Sequence, residues 1–227
     1  MIEIKNASHG QCWESLGNWP SRMLVVQRGA VELGDEGTHF GFIATGSAKL
    51  TTDQGAFQLQ EGMYYAVAGT HRLECDGSGF VVTRIGWFGF FQIGGPIENE
   101  GRLRYIDGCS DSLLIAPVVL GAPCLNLLFL PPGTCQTEHT HPSVRFGMIV
   151  SGWGTCKTPG QDYSLAPGMS FYIPENQRHS FHTDDESLRV IAWHPDSDFG
   201  PTDDHHPMIN RTMIDGISAA RRLTPDH

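Results

Sequence analysis

Short apolar or alternating runs of four to seven residues recur along this chain, each closed by glycine, proline or polar turn residues. The clearest are His39-Phe-Gly-Phe-Ile-Ala, Phe80-Val-Val-Thr-Arg-Ile, Leu113-Leu-Ile-Ala, Leu125-Asn-Leu-Leu-Phe-Leu, Gly147-Met-Ile-Val and Leu188-Arg-Val-Ile-Ala-Trp. Runs of this length, rich in Val, Ile and Phe, predict strands. No long segment repeats its apolar residues at the helical spacing, and only the stretch Ile217–Arg222 predicts a short helix. Many short strands with turns between them predict an all-β sandwich or barrel.

The pattern also repeats. Thr38-His39-Phe-Gly-Phe-Ile-Ala-Thr-Gly46 matches Val144-Arg145-Phe-Gly-Met-Ile-Val-Ser-Gly152 position by position, and Glu61-Gly62-Met-Tyr-Tyr-Ala-Val matches Pro167-Gly168-Met-Ser-Phe-Tyr-Ile. The two pairs keep their order and their separation, so the chain reads as a two-fold repeat of β units. The Gly- and Pro-bearing stretch Gly94-Gly-Pro-Ile-Glu-Asn-Glu-Gly101 is where the halves would join. The division expected is 1–95 and 96–227.

One stretch asks for chemistry as well as folding: Gly133-Thr-Cys-Gln-Thr-Glu-His139-Thr-His141-Pro-Ser-Val-Arg145, followed later by His179. Histidines one residue apart on a strand point the same way. A third imidazole from a neighbouring strand would complete one face of a metal ion. Neutral imidazole suits zinc, iron, copper or nickel, with zinc–nitrogen bonds of about 2.0–2.1 Å.

Composition narrows the functions available. Hydrophobic residues make up 40% and charged residues 18%, as in a packed globular protein. The formal charge is −10, from 25 acidic against 15 basic residues, and this argues against a nucleic-acid partner. Met1-Ile-Glu-Ile-Lys-Asn has neither the basic flank nor the apolar run of a signal peptide, and no apolar segment approaches the ~18 residues that span a bilayer. The chain is therefore expected to be cytoplasmic and free of membrane. The cysteines at 12, 75, 109, 124, 135 and 156 show no C-x-x-C spacing and are expected to be reduced and mostly buried.

With these residues in place, the second half resembles a cupin, and the whole chain a two-domain bicupin. The first cupin motif runs Gly, five residues, His-x-His, three or four residues, Glu, six residues, Gly. Gly133, His139, His141 and Gly152 match it, and Arg145 stands where the glutamate should be. The second runs Gly, five residues, Pro-x-Gly, two residues, His, three residues, Asn. Gly168, Pro174 and His179 match, with Asn176 in place of the glycine and Thr183 in place of the asparagine. The match is strong over about 130–183 and weak over about 38–85.

The resemblance implies two jelly-roll barrels, a degenerate structural one in 1–95 and a metal-binding one in 96–227. It implies that His139, His141 and His179 hold one divalent metal ion; iron(II) is favoured, and zinc, nickel or manganese are acceptable to imidazole. Arginine is permanently protonated and cannot replace the missing glutamate as a ligand, so the site is expected to have three histidines and open positions. Three-histidine cupins include dioxygenases, which makes a non-haem iron dioxygenase acting on a small organic acid or enolisable carbonyl compound the leading expectation. The alternatives are a metal-dependent lyase or isomerase, with Tyr172 or His182 as base, and a non-catalytic module binding a small ligand. A homodimer is expected from the family's habit.

Arg145 has two readings on strand parity. It grips the carboxylate of an anionic substrate, or it forms an internal ion pair with Glu138 or Asp162. Parity turns His182 to the face opposite His179. His194 is expected at a barrel mouth, and the His205-His206 pair in solvent or a loose metal site. Cys135 is expected to be small and buried. Phe171 is read as core or pocket lining, and Phe146, Trp153 and Trp193 as core. In the first half, His71 is the sole candidate for a second-motif histidine, two residues early.

Overall fold

The structure, a computed structural model, describes residues 1–89, 91–202 and 206–223. The first half runs through β1 (Glu3–Asn6), β2 (Cys12–Ser15), β3 (Ser21–Leu33), β4 (Gly37–Thr45), β5 (Ser47–Thr52), β6 (Gly55–Gln60), β7 (Tyr64–Ala68), β8 (His71–Ile85) and β9 (Gln92–Gly94). The second begins with β10 (Leu103–Arg104), a 3-10 turn at Ile106–Gly108, β11 (Ser110–Ile115), β12 (Cys124–Leu130) and β13 (Arg145–Gly152). It continues through β14 (Gly154–Lys157), β15 (Asp162–Leu165), β16 (Met169–Ile173), β17 (Ser180–His182) and β18 (Leu188–His194). A tail hairpin, β19 (Met213–Ile214) and β20 (Ile217–Ser218), leads into α1 (Ala219–Leu223), at the place where the pattern predicts a helix. Among the described residues no helix is long and apolar enough to cross a membrane.

One sheet has the order β2-β3-β8-β4-β7-β9, with β5 joined to β8 and β6 to β5; a second has the order β1-β16-β13-β18-β12-β11-β10, and a third β15-β14-β17. The internal repeat is visible in their register. Gly41 on β4 faces Tyr65 on β7, and Gly147 on β13 faces Phe171 on β16. Each glycine lets the aromatic ring opposite lie across its strand: a Cβ would sit 2.0 Å from Tyr65 Cε1 in one case and 2.4 Å from Phe171 Cζ in the other. The pairing of β4 with β8 slips between Ile43 and Thr45, and that of β13 with β18 slips between Ile149 and Ser151, at matching places.

Alternation sorts these strands into faces. Phe40 and Phe42 on β4 meet Phe146 and Met148 on β13, together with Trp193 on β18, in one core that both halves share. The intervening positions, Ile43 on β4 and Ile149 on β13, turn into separate cores, one inside each half. Because β4 is covered on both sides, it reads as an unbroken buried run from Gly37 to Ala44.

The structure is all-β as expected, and two details bear on the expectation of two barrels. Among the described residues no sheet closes on itself. The N-terminal strand β1 leaves its own half and pairs with β16, Ile4 opposite Phe171, which covers an edge of the second sheet. Trp153, read as core, is 59% exposed just before β14. The cysteines are free; Cys75, Cys109, Cys124 and Cys156 are buried, while Cys12 and Cys135 are exposed, the latter against expectation.

Candidate metal centre

His139 and His141 do not lie on a regular strand. Between Gly133, with φ +74°, and Pro142 the chain is extended but pairs only through isolated bridges, Cys135 with His182 and His139 with His179. Side-chain hydrogen bonds hold it in place of a ladder. Thr183 Oγ1 accepts from Thr134 N (2.9 Å) and donates to Pro131 O (2.6 Å). Gln136 Oε1 accepts from Phe181 N (3.0 Å), and both carboxylate oxygens of Asp107 accept from Thr137. Thr183 thus works where the cupin motif has asparagine. Asn176 sits at φ +59°, a left-handed conformation suited to the motif's glycine and tolerated by asparagine, and its N–H donates to His141 O (2.7 Å).

His139 and His179 exchange both backbone hydrogen bonds at 3.0 Å, which fixes them opposite each other. His141 joins them, and the ligand atoms of the three all lie within 4.8 Å of one another. His139 Nδ1 donates to Thr137 O (2.8 Å) and His179 Nδ1 to Gln177 O (2.9 Å). A carbonyl can only accept, so these bonds leave the lone pair on Nε2, the usual orientation of a metal-binding imidazole. Burial, with Arg145 close by, pushes His141 down to about 2, and burial holds His179 at about 4. Both stay neutral at ordinary pH, so the donor set fits a divalent cation.

These histidines line a cavity of 460 Å³ within the second half, together with Arg145, Asp111, Asn126, Tyr105, His194, Phe171 and Phe181. Arg145 enters from the first position of β13. Nη1 donates to Ser143 O (3.2 Å), Ser143 Oγ (2.7 Å) and Val144 O (3.1 Å), and the Ser143 hydroxyl donates onward to Asp196. Burial lowers the guanidinium to about 10, so it remains charged. The ion pair expected with Glu138 or Asp162 does not form: Glu138 binds Arg178 (2.8 Å), and Asp162 lies on β15. Among the described residues no carboxylate makes an ion pair with Arg145.

Tyr172 and His182 are not brought to this cavity. Phe171 and Ile173 use the inner face of β16, so Tyr172 points into the shared core and stacks on Phe146 at 5.4 Å. His182 follows parity to the other side of β17, where Nε2 meets Ser180 Oγ (2.8 Å). His194 does reach the cavity, donating from Nδ1 to Asp196 O, and burial pushes it down to about 3. His205 lies outside the described residues; His206 accepts at Nδ1 from Met208 N (3.1 Å). In the first half, His39 uses both ring nitrogens on Thr83 Oγ1 and Gly34 O, and His71 meets Tyr65 OH and Gly69 O. Among the described residues, His139, His141 and His179 are the one group able to hold a metal.

Sequence reasoning missed Asp111. It lines the cavity, and both its oxygens accept from Asn126 Nδ2 (2.9 and 3.1 Å). The available signal was an acid in step with Leu113, two positions along the same strand, which lines the cavity too.

The buried imidazoles bear on stability. His71, His179 and His194 stay neutral down to about 4, 4 and 3, whereas their ordinary value is 6.5. Between those limits the unfolded chain binds more protons, so stability falls as pH drops below 6.5. Asp111, raised by burial from 3.8 to about 6, opposes this, but the imidazoles outnumber it. Scanning calorimetry of the metal-free protein should give a lower melting temperature at pH 5 than at pH 7. An equal or higher value would contradict the assignment of neutral buried histidines.

Residues 126–194 match the family model for the cupin domain. No curated protein is significantly similar to this chain in sequence. Among solved structures, a cupin 2 conserved barrel domain protein from Leptotrichia buccalis superposes with a TM-score of 0.59 at 11% identity, covering 85% of this chain and 96% of that one. An oxalate decarboxylase from Bacillus subtilis, with Mn(II) centers, gives 0.52 at 14% identity over 88% and 76%. An 11S globulin from Wrightia tinctoria with an auxin binding site gives 0.53 at 11% identity over 78% and 75%. Likeness at such identities concerns the fold, which here serves proteins of different kinds. The cupin-domain match is confined to residues 126–194, and what the solved structures share with the larger part of the chain is the fold.

Proposed function

We propose that this protein is a metal-dependent enzyme acting on a small organic acid or enolisable carbonyl compound, as a three-histidine non-haem iron dioxygenase. The observation behind the reading is the convergence of three imidazoles and one half-buried guanidinium in a single cavity. A divalent ion held by His139, His141 and His179 would supply Lewis acidity, a template and, if it is iron, electrons for oxygen.

The chain's own residues would do the rest. Nη1 of Arg145 is engaged by Ser143 and Val144, which sets the guanidinium plane and leaves its other donors to a substrate carboxylate. Asp196, through the Ser143 hydroxyl, supports that orientation. Phe171 and Phe181 wall the cavity with apolar surface that excludes water and strengthens the charge contact.

Arg145→Met is expected to weaken binding of oxalate, used as a probe anion, to the zinc-loaded protein by roughly 30-fold, about 2 kcal/mol. Arg145→Lys should recover little, because the ammonium lacks the fork. Calorimetric titration measures both. An unchanged affinity in Arg145→Met removes Arg145 from ligand binding.

A second reading, a lyase or isomerase, is favoured by the Asp111 carboxyl in the same cavity, where a proton-transferring group is needed. Oxygen separates the two. Iron-reconstituted protein screened against small carboxylic acids should consume oxygen in step with product; turnover that persists under strict anoxia establishes the second reading instead.

A further inference from the structure

Asp111 is placed as a working acid rather than as a structural one. It projects from β11 into the cavity, diagonally across from Asn126 on β12. The Asn126 amide is itself oriented: the Cys124 thiol donates to Asn126 Oδ1 (3.1 Å), so Nδ2 is turned toward Asp111 and reaches both of its oxygens. Asn126 is its hydrogen-bond partner among the described residues, and no cation pairs with it. A carboxyl held this way, in a cavity that also holds Arg145 and the three imidazoles, is oriented but not neutralised. We infer that Asp111 is the proton carrier of this cavity, taking up a proton when a small acid binds and delivering it to that ligand. The inference rests on the reading of the cavity as an anion-binding metal site.

The delivery is a simple transfer. The O–H bond of the carboxyl breaks, a C–H or O–H bond to the ligand forms, and the electron pair remains on Asp111, where the Asn126 N–H groups hold the carboxylate. Water restores the proton, and no other reactant is required.

Charge explains the uptake. Burial, against the opposing pull of the Asn126 hydrogen bonds, raises Asp111 to about 6. A cation on the three histidines lowers it, and an anion bound beside it raises it again, so binding near neutral pH draws in a proton. Tyr105 and His194, which share the lining, and Cys124, whose thiol meets Asn126, do not titrate in that range. Burial keeps the Tyr105 hydroxyl above its ordinary value, Cys124 is a thiol up to about 12, and His194 is neutral down to about 3. Arg104, Arg145 and Asp198 are the other charged groups on the lining, and the three imidazoles complete it.

The test uses zinc-loaded protein and oxalate. Titration calorimetry in buffers of different ionisation enthalpy should show uptake of close to one proton per oxalate at pH 7, and affinity should fall up to tenfold per unit between pH 6 and 8. Asp111→Asn, neutral and of the same shape, should show no uptake and a flat profile. Difference infrared spectra of the metal-free wild type should show a protonated carboxyl band that fades near pH 6 and is missing in Asp111→Asn. Wild-type proton uptake in Asp111→Asn, or absence of that band, overturns the inference alone. Failure of the wild type to bind oxalate at any pH, with the band present, overturns the anion-binding reading beneath it.

Discussion

His179→Ala should raise the dissociation constant for a divalent metal by more than 100-fold while leaving the fold intact. Loss of a group that merely orients a ligand costs about 10–100-fold in affinity, and loss of the ligand itself costs more. Of the three imidazoles, His179 is the most firmly held. It is 2% exposed, its Nδ1 is tied to Gln177 O, and its backbone forms the bridge to His139. The backbone bonds survive the substitution, so the far-ultraviolet spectrum should not change. Equilibrium dialysis with zinc gives the affinity. A wild-type dissociation constant in His179→Ala would show that this residue is not a ligand.

Trp193→Ala is expected to destabilise the protein by about 3–5 kcal/mol, through lost burial and the cavity left behind. For a chain of this size that corresponds to a melting temperature roughly 6–20 °C lower. Trp193 is fully buried, with its ring 5.8 Å from that of Phe40 in the first half and 6.1 Å from that of Phe146 in the second. The loss should therefore appear in a single transition covering both halves. Trp193→Phe should cost much less, because the indole N–H is buried without a hydrogen-bond partner among the described residues, and its removal leaves nothing unsatisfied. Two separate transitions, or a cost below about 1 kcal/mol in Trp193→Ala, would contradict the shared core.

Much of this was legible in the sequence, for local reasons. The runs containing Phe40, Phe80, Leu125, Met148 and Ile191 became β4, β8, β12, β13 and β18, because length, apolar content and bounding turns suffice to define a strand. The spacing of His139, His141 and His179 pointed to the metal candidates; Arg145 shares their cavity, although the regular strand on which its parity was reckoned is interrupted at Pro142 and Ser143. What stayed hidden depends on distant partners. The alliance of β1 with β16 joins residues from opposite ends of the chain and leaves no local trace. Tyr172 needed knowledge of which face of β16 turns inward. Asp111 sits between two serines, in a run that resembles a turn until its pairing with β12 makes it a strand.

The most direct test of the account is elemental analysis of protein purified anaerobically without added metal, beside His139→Ala. The account predicts about one equivalent of a divalent transition metal in the wild type and its loss in the variant. No metal in either, even after anaerobic reconstitution with ferrous, zinc and nickel salts, would contradict it and leave a ligand-binding cavity centred on Arg145.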